Sequence, residues 1–131
     1  MSCFFQVGDS DVWNPANFVA RVFHAEALAL AQVFGVPPGL GPIVDDECQI
    51  DGQAFAHFMT VLLREHQKTD HIILRSLLEG VIGVGLVLLE RAGESGEEIS
   101  RDVGEPWEDR RRVLSRRMTY ERSAYMEEPP G

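Results

Sequence analysis

Apolar residues recur in three stretches spaced as on an α-helix, and a more polar helical stretch follows them. In the first, Phe18, Val19, Val22, Phe23, Ala29, Leu30, Val33 and Phe34 share one arc at about 100° per residue. Asn14-Pro15 pairs a capping residue with a proline suited to a first helical position, and Gly35 supplies a stop. The pattern predicts a helix over about 15–34, with Glu26 near the centre of its apolar arc. A second helix, about 53–68, turns Phe55, Phe58, Met59, Leu62 and Leu63 inward, with His66 near the middle of that face and Asp51 placed to cap. The third, about 71–91, is apolar around most of its circumference and leaves only a narrow polar stripe of Arg75, Ser76, Glu79 and Glu90. Such a helix must be surrounded, by neighbouring helices or by a second subunit. A fourth begins at Glu105-Pro106 and runs to about Tyr125.

The segments between helices are less regular. Residues 3–13, CFFQVGDSDVW, place two short apolar clusters around Gly8-Asp9-Ser10-Asp11, which suggests a hairpin or an extended arm. Residues 35–52 hold three prolines and four acids, and read as a long loop. Gly80, Gly83 and Gly85 lie inside the apolar third helix, where close helix–helix approach explains them better than a phosphate loop. The expected fold is therefore all-α: a compact bundle of about four helices with a short N-terminal extended or hairpin segment. Residues 1–92 form its core with the arm, 93–104 a linker, and 105–131 an Arg-rich helix with a frayed end.

At 131 residues the chain has room for one domain, and 44% hydrophobic with 25% charged residues is ordinary globular composition. Its formal charge of −9 disfavours nucleic acid and anionic membranes as partners. That charge is uneven: residues 1–99 hold 14 acids against 5 bases, and residues 100–131 hold 7 of each. Cys3 and Cys48 are too few for a disulfide framework or a thiolate zinc site, and fit reduced thiols in a cytoplasmic protein. The N-terminus lacks a signal-peptide pattern. Ile72–Leu89 is the one membrane candidate; Arg75 and Glu79 interrupt it, so it reads as a buried helix. No cofactor is expected.

Three constellations are candidates for function. Glu26 and His66 are ionisable groups on faces that should be dry, and Asp70 follows His66 by four residues. Together they could line a buried polar pocket. Asp45, Asp46, Glu47 and Asp51 crowd one loop that could meet a basic partner. Arg110, Arg111, Arg112, Arg116 and Arg117 could form a basic arm, although on a helix they spread around the surface; packing through Trp107, Leu114 and Met118 is the plainer expectation.

The stretches FFQVGDSDVWNPANFVARVF and GPIVDDECQIDGQAFAHF resemble a family of short, uncharacterised actinobacterial proteins. The resemblance rests on Trp13-Asn14-Pro15 and Asp46-Glu47-Cys48 and covers residues 3–92, leaving the Arg-rich tail outside. It implies no activity and assigns no catalytic residue. The expected function is that of a non-catalytic, acidic, cytoplasmic protein-interaction module, immunity-type or regulatory, acting as a homodimer. The alternative is a small enzyme or a ligand- or metal-binding protein with a pocket between Glu26 and His66.

Overall fold

A computed structural model describes residues 1–94 and 104–127, with side chains described as far as residue 118. In chain order the elements are β1 (Phe4–Val7), β2 (Ser10–Trp13), α1 (Asn17–Phe34), β3 (Glu47–Gln49), α2 (Gly52–Lys68), α3 (Ile72–Ala92) and α4 (Glu105–Glu127). The linker expected at 93–104 lies, for residues 95–103, outside the described residues, as do residues 128–131.

The expectation of an all-α bundle is corrected: a three-stranded mixed sheet, ordered β2-β1-β3, accompanies the helices. The N-terminal hairpin is present. β1 and β2 pair antiparallel, with Val7 opposite Ser10 across a two-residue turn whose Gly8 has φ +60°. The unforeseen strand is β3, which lies parallel to β1 with Phe5 opposite Cys48. It comes from the segment read as loop, where the alternation of exposed Glu47 and Gln49 with buried Cys48 and Ile50 is too short to announce a strand. Its ladder partner lies some forty residues upstream, so no local signal reports the pairing. Gly41 N–H donates to Gln49 O at 2.9 Å and Asp51 N–H to Gly39 O at 2.8 Å, fastening the proline-rich loop along β3.

Behind the hairpin, Phe5, Trp13 and Phe23 form a three-way aromatic cluster with ring centroids 5.2 to 5.9 Å apart, joining the sheet to α1. α2 buries Phe55, Phe58, Met59, Leu62 and Leu63 completely, as its periodicity predicts, and Asp51 caps it by accepting from Ala54 N–H at 3.2 Å. In α3, Val81, Ile82 and Leu86 to Leu89 are buried against α2 and α4. α3 is long and apolar enough to cross a membrane by composition, yet half of its most apolar window is buried within the protein. Its glycines admit neighbours: a Cβ on Gly85 would meet Met59 Cε at 2.9 Å, and one on Gly83 would meet Leu114 Cδ1 at 2.7 Å.

α1 begins two residues later than expected. Ala16, not Asn14, precedes it; Asn14 is buried, and Pro15 accepts from Cys3 N–H. Its buried face is also rotated. Ala20, Phe23, Ala27 and Ala31 point inward, whereas Phe18 is 69% exposed, Val33 76% and Val22 44%. The wheel weighted the larger apolar residues, but the narrow alanine stripe permits the closer approach and wins the interior.

Candidate docking groove

The rotation of α1 leaves a concavity beside its exposed apolar face. One wall carries Phe18, Val22 and Glu26 of α1; the other carries Gly80, Val81 and Val84 of α3; Trp13 and the α4 residues Leu114, Arg117 and Met118 complete it. The groove holds about 550 Å³. Among the described residues Glu26 and Arg117 are its only charged ones, of opposite sign, and neither has an ion-pair partner there. The apolar faces extend beyond it. Phe18, Val22, Ala25, Ala29 and Val33 form one stripe along α1, and the groove face of α3 continues through Leu77 and Ile73, which are 67% and 61% exposed.

One arginine sets the spacing of two groove-forming elements. Arg91 of α3 donates from Nη1 to Val12 O at 3.0 Å and from Nη2 to Ser115 O at 3.1 Å. Those carbonyls adjoin Trp13 and Leu114, so one guanidinium ties β2 to α4.

The expected Glu26–His66–Asp70 cluster does not assemble. Glu26 lines the groove, Asp70 is exposed beyond the end of α2, and buried His66 faces a second hollow of about 290 Å³. There His66 Nε2–H donates to Glu79 Oε2 at 2.8 Å, since a carboxylate can only accept. His66 packs edge-to-face on Trp107, Arg110 covers the same indole, and Arg110 Nη1 lies 3.8 Å from Glu79 Oε1. The partner that sequence reasoning missed is thus Glu79, although a buried histidine on α2 facing the narrow polar stripe of α3 was a usable signal. Among the described residues no group of His, Cys, Asp and Glu is placed to hold a metal ion.

The His66 hydrogen bond holds the Glu79 carboxyl below the usual carboxylate range; burial opposes it, and the charges of His66, Arg110 and Arg75 reinforce it. A carboxyl whose pKa is depressed by folding adds stability above its unfolded value, about 4.3, and that stability is lost as pH falls through the folded value. The stability difference between the parent and Glu79→Gln should therefore shrink as pH falls from about 5 to about 3. Urea midpoints across that range check it, and a difference unchanged down to about pH 3 would refute the assignment.

The acidic loop is explained by its backbone. Asp45 and Asp46 have φ of +52° and +61°, and Val44 and Glu47 exchange both backbone hydrogen bonds at 3.0 Å. Aspartate tolerates this left-handed turn better than most residues. Asp51 is the cap of α2, so these four acids include at least three with local structural work.

The arginines divide rather than forming one arm. Arg110 serves the Trp107 hollow, Arg111 pairs with Glu90 at 2.8 Å and with Glu108, and Arg112 pairs with Asp109 at 2.9 Å. Arg116 is exposed, and Arg117 lines the groove. Trp107 and Met118 are buried, as expected of a helix packed on the body, with Leu114 partly buried beside them. The remaining histidines also divide: His57 is exposed, His24 donates to Gly41 O at 2.8 Å, and His71 caps α3 by accepting from Leu74 N–H. Cys3 and Cys48 are buried thiols, and burial pushes Cys48 up to about 12.

Fold and groove together define a small α+β protein with an open apolar cleft between two helices. The chain belongs to a family of unknown function, DUF6086, which it matches over residues 1–120. The match takes in the arginines of α4, which the resemblance had left outside. No curated protein and no solved structure matches the chain.

Proposed function

We propose that this protein is a non-catalytic, acidic, cytoplasmic protein-interaction module, immunity-type or regulatory, that docks an apolar helical surface in the groove between α1 and α3. The observation behind this reading is the apolar character of that face. Large exposed apolar residues are unremarkable singly, but here they line up along both helices and converge on one concavity. Burying such side chains is the main source of protein–protein affinity, and a groove flanked by helices suits i, i+4, i+7 anchors. Self-association belongs to the same reading.

A second reading has one observation in its favour. The volume of the groove falls within the range of small-molecule pockets, so an apolar ligand anchored by Glu26 is the alternative. A photoreactive phenylalanine analogue at Val22, compared with one at exposed Lys68 outside the groove lining, separates the two. Protein adducts specific to position 22 in living cells support the module. Only small-molecule adducts there, or equal protein labelling at both positions, would overturn it.

A further inference from the structure

Resting on that interaction-module reading, we infer that the occupant of the groove is a second copy of this chain, docked about a two-fold axis so that Glu26 of each copy meets Arg117 of the other. Three observations converge on it. The first is charge. A chain of net charge −9 repels its own copy, so a dimer must form through a face without the acidic excess. The groove is such a face, with one acid and one base among its described residues. Asp9, Asp11, Asp45, Asp46 and Glu47 lie outside it, so a strongly basic partner would be drawn elsewhere.

The second is complementarity. A two-fold interface must be self-complementary: if residue i of one copy touches j of the other, j also touches i. Glu26 and Arg117 stand in the same groove, unpaired among the described residues, and meet that condition. Two reciprocal ion pairs would form at the rim of an apolar contact, where charge fixes register and orientation.

The third is Gly80. A helix-interior glycine costs about 1 kcal/mol relative to alanine, and Gly83 and Gly85 repay that by admitting Leu114 and Met59. At Gly80 an added Cβ would meet nothing within 4 Å, so no neighbour among the described residues requires a glycine there. A helix of another molecule lying against the bare backbone does. The exposed stripe of α1 offers a fitting surface, because Ala25 and Ala29 are one turn apart and small.

Sedimentation equilibrium of the full chain tests the inference. The parent should dimerise, and Glu26→Arg or Arg117→Glu alone should each weaken the dimer at least about tenfold, because the two-fold axis counts each change twice. The double charge swap should restore affinity to within about threefold of the parent. Gly80→Ala should melt no lower than the parent at a concentration where both are monomeric, and still weaken the dimer, a combination that a purely structural role would not give. A monomeric parent, a dimer indifferent to either reversal, or a swap that fails to restore would overturn the second-copy occupant. If the chain is monomeric yet position 22 labels another protein, the interaction module survives and only the choice of occupant fails. A monomer without protein adducts at position 22 removes both.

Discussion

Gly39→Ala should cost at least about 3 kcal/mol, a large share of a total stability of roughly 5–15 kcal/mol. Two effects add. Gly39 has φ +72°, where an L side chain costs about 1 kcal/mol or more. Its Cβ would also be driven into the first turn of α2, against the backbone of Phe55, whose Cα would lie 2.8 Å away. Backbone cannot rotate aside as a flexible side chain can. The turn is pinned from the other side as well, because Gly39 O accepts from the N–H of the α2 cap Asp51. Gly8→Ala is the matched control: φ there is +60°, yet an added Cβ meets nothing within 4 Å. It should lose only about 1 kcal/mol. Urea unfolding of the two variants measures the contrast, and equal losses would show that the clash at α2 is absent.

Phe5→Ala should cost about 3–5 kcal/mol, the range for removing a fully buried aromatic side chain. Phe5 has no exposed surface, stacks on Trp13 at 5.2 Å and meets the edge of Phe23 at 5.9 Å. It also sits on the central strand, opposite Trp13 on one side and Cys48 on the other. The cavity would open where sheet and helix meet, and Trp13, a groove residue, would lose the ring that orients it. Phe5→Leu, which keeps much of the volume, should recover over half of the loss. Chemical denaturation gives the magnitude; a loss below about 1 kcal/mol would mean that the site collapses around the deletion.

How much could be read without coordinates varied by element for definable reasons. α2 was legible to within a residue of its start, because its five inward side chains repeat at helical spacing and Asp51 precedes them as a cap. The hairpin was legible from Gly8 between two apolar clusters. The glycines of α3 were legible as contact points at 83 and 85, where neighbours do approach, but not at 80. β3 was illegible because a three-residue strand has no periodicity to detect, and its partner is remote. The groove was hidden by the choice of α1 face: alanine and phenylalanine both score as apolar, and only packing decides which of them lies inside. Glu26 was singled out as an acid on a dry face, and that face is the exposed one. His66 was correctly placed in the interior, and its partner came from α3 rather than α1.

The fork of Arg91 has a thermodynamic consequence for whatever enters the groove. A cleft with independently drifting walls must be stilled on binding, and that lost motion subtracts from affinity. Here one planar guanidinium holds the Val12 and Ser115 carbonyls on two adjoining elements at fixed spacing. The entropic cost of fixing those two elements is met when the chain folds, so an occupant seated between α1 and α3 finds Trp13 and Leu114 at the groove's edge already in place.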